Sequence, residues 1–204
     1  MSSKLDKSAI VAGAGLAASI FIALVKKVLE LGGTDEDIHR LATPDGETIL
    51  GKVAEIIVGK VHQAFKVVVD YTKTLKEMVL VGKYDWVNEN ITQDHFPIQG
   101  SGKQEVQVAL FHFGKIMASD QIIAEMEKQG YRSTRIEELL ALGASQLELQ
   151  RQFPIVALGS VWRGPYGDRG VPVLDRGDAR RRLGLHWLEH EWHESYRFAA
   201  VRNA

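Results

Sequence analysis

Beyond Lys128 the chain has no lysine, and from residue 151 on arginine carries its positive charge: Arg151, Arg163, Arg169, Arg176, the run Arg180-Arg181-Arg182, Arg197 and Arg202. A guanidinium presents a planar fork of donors that matches phosphate and carboxylate. Trp162, Tyr166, Trp187 and Trp192 fall in the same stretch, and flat rings interleaved with cations are the footprint of base stacking or of contact with an acidic chain. The candidate binding residues are therefore Arg163, Arg169, Arg180, Arg181, Arg182, Trp162 and Trp187, with nucleic acid or an acidic protein as the candidate partner. Asp175 and Asp178 lie beside the arginine run, so a solvated connection is the competing reading.

Other groupings carry less chemistry. His186, His190 and His193, with Glu189, Glu191 and Glu194 near them, have the donor types of a metal site. Leu185 and Trp187 around a turn read instead as a hairpin, with His186 pointing away from Trp187 and the other histidines at the loop. Asp70, His95 and His112 could perform acid-base chemistry if the fold brought them together. His112 between Phe111 and Phe113 reads first as a hydrogen-bonded core histidine. Ser160 follows Gly159, but the glycine that a nucleophile elbow needs two residues after the serine is missing from Leu158-Gly159-Ser160-Val161-Trp162. The absence of cysteine removes disulfides, thiolate zinc sites and cysteine nucleophiles. Trp86 and Trp162 read as core anchors. No catalytic residue, metal or cofactor is assigned. The reading is a non-enzymatic binding module, with a small enzyme using His112 and Asp70, or a membrane-tethered accessory protein, as alternatives.

These groups must be positioned by a chain of 204 residues, 45% apolar and 25% charged, with net charge -1. That is the composition of a globular protein of one or two domains, with no overall field toward polyanions or membranes. Ala9 to Val25 is uncharged and flanked by Lys4, Lys7, Lys26 and Lys27. It is short for a bilayer span and reads as a buried helix, with membrane contact or a targeting segment as alternatives. The chain is placed in the cytoplasm, with membrane association as the alternative.

Gly32-Gly33 stops that helix, Thr34 with Asp37 opens a second, and Thr43-Pro44 opens a third whose stripe is Ile49, Val53, Ile56 and Ile57. Residues 1–58 thus form a helical segment and 59–204 an α+β domain. In the latter, strands are expected over Phe65 to Tyr71 and Glu105 to Phe113, and helices over Thr74 to Val81, Ser119 to Gly130 and Ile136 to Gln152, the last interrupted near Gly143. Ile155 to Arg163, Val171 to Leu174, Leu183 to Glu189 and Tyr196 to Arg202 predict a small carboxyl-terminal antiparallel sheet. The fold class is α+β.

The strings at 32 to 46 (Gly-Gly-Thr-Asp-Glu-Asp-Ile-His-Arg-Leu-Ala-Thr-Pro-Asp-Gly), 84 to 88 (Tyr-Asp-Trp-Val-Asn), 153 to 163 (Phe-Pro-Ile-Val-Ala-Leu-Gly-Ser-Val-Trp-Arg) and 197 to 202 (Arg-Phe-Ala-Ala-Val-Arg) resemble a family of uncharacterised proteins found mainly in uncultivated bacteria. The resemblance covers about residues 28 to 203. It implies no activity and carries over no catalytic residue.

Overall fold

The structure, a computed structural model, describes residues 7–57 and 62–203. The chain divides into two compact units, one ending at residue 60 and one beginning at residue 61. The boundary read from the sequence at 58–59 lies outside the described residues.

In the first unit, α1 (Lys7–Glu30) ends where Gly32 takes a φ of 82° and Gly33 N–H returns to the Val28 carbonyl at 2.9 Å. Only glycine adopts that left-handed turn at little cost. The Thr34 N–H donates to the Asp37 carboxylate at 2.9 Å and opens α2 (Asp35–His39), which runs into a 3-10 turn (Arg40–Ala42). Pro44 begins α3 (Pro44–Ile57), where its missing N–H is no loss. The covering expected around the apolar stretch is absent at Ile20, Phe21 and Ile22, which are 59%, 53% and 67% exposed. Among the described residues no helix is long and apolar enough to cross a membrane.

The second unit is built on one nine-stranded mixed sheet of β1 (Gln63–Asp70), β2 (Trp86–Val87), β3 (Lys103–Phe111), β4 (Tyr131–Ser133), β5 (Ile155–Val156), β6 (Trp162–Arg163), β7 (Arg169–Gly177), β8 (Arg180–Trp187) and β9 (Arg197–Arg202). Its main path is β1-β3-β9-β5-β7-β8-β2, with β4 on β9 and β6 on β7. The β7–β8 hairpin is the carboxyl-terminal antiparallel element, and the sheet extends past it through two parallel pairings, β5 with β9 and β2 with β8.

Both faces of the sheet are covered, so its central strands are apolar on both sides. One face packs Val67, Val69, Val108, Leu110, Leu174 and Leu183 against α4 (Leu75–Gly82), α6 (Ile136–Ser145) and α7 (Leu149–Gln152). The other packs Phe111, Val156, Val171, Val173 and Phe198 under α5 (Ser119–Lys128) and Trp192. Thr74 caps α4, accepting from Glu77 N–H at 3.3 Å while the Glu77 carboxylate accepts from Thr74 N–H at 2.7 Å, a reciprocal pair legible as Thr-x-x-Glu.

Tyr84 lies between the ends of α4 and α6 because both offer a glycine there. A Cβ on Gly82 would overlap the Tyr84 ring, and one on Gly143 would overlap its hydroxyl and stand 2.8 Å from Leu174 Cδ1. Gly143→Ala is therefore expected to cost about 1–3 kcal/mol, the usual penalty of overpacking a core. Urea unfolding at constant m-value checks this, and an unchanged midpoint contradicts it.

Candidate functional site

Consecutive residues of a strand point to opposite faces, so the arginine run cannot form a single patch. The ladder pairs Gly177 with Arg180, Asp175 with Arg182 and Val171 with His186, and β2 sets Trp86 beside Arg182. Arg180, Arg182, Gly184 and His186 thus share one face with Asp175 and Trp86. Arg181, Leu183, Leu185 and Trp187 occupy the other.

The first of these faces holds the candidate site. Arg182 donates Nε to Oδ1 and Nη2 to Oδ2 of Asp175, each at 2.9 Å. The His186 Nε2 lies 3.7 Å from Asp175 Oδ2, its Nδ1 lies 3.4 Å from the Tyr196 hydroxyl, and its ring stacks on buried Trp192 with centroids 6.2 Å apart. Burial pushes the Asp175 carboxyl up, but the His186 ring and Arg182 guanidinium beside it reverse that push and leave it below the ordinary carboxylate value. Burial, then the Asp175 charge, raises Tyr196.

A depression of about 130 Å³ opens over Gly184, bordered by Trp86, Arg182 and His186. A Cβ on Gly184 would find its nearest neighbour only at 3.9 Å, so the floor is open. Trp86 is 47% exposed and the Arg182 side chain 42%. A planar group can lie against the indole while an acidic group meets the unused guanidinium edge. The Asp175, His186 and Tyr196 contacts are loose for proton transfer, and they act here to orient the ring and the guanidinium.

The other candidate residues disperse. Arg181 is a correction: it is 4% exposed, and its guanidinium donates to the Gly82 carbonyl, to Lys83 O at 3.2 Å and to Gly143 O at 2.8 Å, so it serves the interior and not a partner. Arg169 pairs with Glu189 at 2.6 Å. Arg163 and Arg180 are exposed. Trp162 and Trp187 flank Gly170 on the face opposite the depression, and the ring of Trp162 lies 5.1 Å from that of His95. Trp192, read as a contact ring, is 2% exposed and donates Nε1–H to Ser119 Oγ at 2.7 Å. Trp86, read as a core anchor, is the exposed one, because β2 is a two-residue edge strand with nothing beyond it.

The acid-base pair of Asp70 and His112 does not form. Asp70 faces Lys103 at one end of β3, and His112 follows its other end; nine residues at about 3.3 Å each keep them at opposite edges. His112 is exposed and bonds the Glu194 carbonyl at 2.8 Å, so it is no core histidine. Ser160 is a capping group, its hydroxyl accepting from Ile136 N–H at 2.9 Å at the start of α6. Among the described residues no three His, Asp or Glu side chains converge as metal ligands. Sequence reasoning passed over Asp175, His186 and Trp86 as one site; the signal available was the period of two that aligns 182, 184 and 186.

No family model, curated protein or solved structure matches this chain.

The depressed carboxyl of Asp175 fixes a pH dependence. With the folded pKa below the unfolded value of about 3.9, its stabilisation is full above that value and lost as pH falls through the folded one. Asp175→Asn is expected to flatten the acid limb of the stability profile below about pH 4 relative to the wild type. Chemical denaturation across pH 2 to 7 checks it, and parallel acid limbs contradict it.

Proposed function

We propose that the protein is a non-enzymatic binding module that recognises an acidic protein segment through the face formed by Trp86, Arg180, Arg182 and His186. The observation that carries this reading is an exposed tryptophan beside an oriented, half-exposed guanidinium over an open glycine floor. Tryptophan and arginine are both among the residues enriched at interface hot spots. The short edge strand β2 leaves this face of the sheet uncovered.

Nucleic acid is the second reading. It is disfavoured by the fate of the basic run, since Arg181 is internal and Arg169 and Arg182 are paired to acids. A cytoplasmic setting and the bacterial family resemblance belong to the same proposal; a cysteine-free chain is compatible with a reducing compartment.

Fluorescence anisotropy with a labelled peptide of alternating Glu and Tyr, beside a labelled single-stranded oligonucleotide, tests the reading. Trp86→Ala and Arg180→Glu are each expected to weaken the peptide at least about tenfold, some 1.4 kcal/mol, with unchanged melting. Equal affinity in all three proteins overturns the assignment of this face. Tighter, salt-sensitive binding of the oligonucleotide decides for nucleic acid.

A further inference from the structure

A second site lies away from that face, where β3 ends and β5 and β9 begin. Extending the β3–β9 ladder by one step beyond Phe111 and Phe198 sets His112 opposite Arg197, so strand register brings an imidazole and a guanidinium to one side of the sheet. The Arg197 guanidinium lies 4.6 Å over the Phe153 ring, and its Nη1 donates to the carbonyls of Ser195 at 3.1 Å and Tyr196 at 3.3 Å. Arg132, Arg169 and Arg182 each hold a carboxylate; among the described residues none pairs with Arg197. Burial alone acts on it, pulling its pKa down. It is a half-buried cation with donors to spare.

The two histidines complete the lining. His112 Nε2–H donates to the Glu194 carbonyl at 2.8 Å, which fixes the ring. His193 Nδ1 accepts from Ser195 N–H at 3.3 Å, which leaves its Nε2–H as a free donor. Both line a cavity of about 390 Å³ with Arg197, Phe153 and Ser195, within the span of about 300–1,000 Å³ usual for small-molecule sites. Glu194 gives its main chain to His112, and its exposed side chain is the acidic group at the rim.

We infer that this cavity binds a small phosphate monoester, with the Arg197 guanidinium and the His193 Nε2–H as donors to the phosphoryl oxygens and Phe153 as the wall that holds the guanidinium in place. A planar fork whose Nε–Nη2 edge is unused suits a phosphoryl group, and the remaining volume accommodates a sugar-sized body.

NMR of the histidine Cε1–H signals in the full chain reads the site, with inorganic phosphate and glucose 6-phosphate as probes and chloride at matched ionic strength as control. His112 and His193 are expected to shift together, with glucose 6-phosphate saturating at a lower concentration than inorganic phosphate. Arg197→Gln is expected to weaken both at least about tenfold, the loss of a charged bidentate contact. His193→Gln, at an exposed position, is expected to weaken both about threefold at unchanged melting, a partial loss for one donor, and this separates a lost donor from a lost fold. Equal shifts with chloride, equal saturation by the two phosphates, or wild-type titration of both variants overturns the inference.

Discussion

The Arg181 guanidinium is the contact on which the carboxyl-terminal half of the sheet depends. It sits inside the protein with no carboxylate on it among the described residues, held by the main-chain carbonyls of Gly82 and Lys83 at the end of α4 and of Gly143 in the last turn of α6. The last four carbonyls of a helix lack partners and carry the negative end of its dipole. One cation here satisfies two helix ends, and the Tyr84 ring, 5.0 Å from the guanidinium carbon, covers it. Burying a charge costs several kcal/mol unless such bonds offset it, so the guanidinium is stable here only while it meets these carbonyls. The main chain adds to the grip, with Arg181 N–H donating to Asp85 Oδ2 at 2.7 Å and Asp85 N–H to Arg181 O at 2.8 Å.

That inward arginine determines what lies outward. With Arg181 fixed below the sheet, Arg180 and Arg182 must project above it, and Asp175 meets Arg182 because the ladder places them opposite. Trp86 follows directly from the same clamp: Asp85 is tied to Arg181, so the next residue begins β2 beside Arg182. Since that strand stops after Val87, the face of β8 at this edge is left bare. The candidate binding face is in this sense a by-product of how two helix ends are capped.

Features set by neighbouring residues were legible in the sequence. Thr34 with Asp37, Pro44 as first helical residue, and the alternation of Glu105 to Phe113 all reappear, because caps and strand period depend on residues a few positions apart. The break near Gly143 is the end of α6, where a glycine admits Tyr84. What was not legible depends on distant partners. Three arginines in a row look alike until strand register assigns the middle one to the core. Trp86 and Trp192 exchange their expected roles because one lies on a short edge strand and the other finds Ser119, 73 positions away, for its indole N–H. Ser119 itself sits inside α5 and not at its cap, bridging Trp192 to the Leu188 carbonyl at 2.6 Å. The parallel pairing of β5 with β9 joins residues more than forty positions apart and leaves no local trace.

The unfolding free energy of Arg181→Met set beside that of Arg180→Met tests the account most directly. Both substitutions keep the unbranched stem and remove one charge from adjacent residues. Removing the buried guanidinium strands the α4 and α6 carbonyls and is predicted to cost about 3 kcal/mol or more, whereas the exposed neighbour is predicted to change stability by no more than about 0.5 kcal/mol. Equal losses for the two, or a larger one at Arg180, would contradict the central place given to the inward arginine.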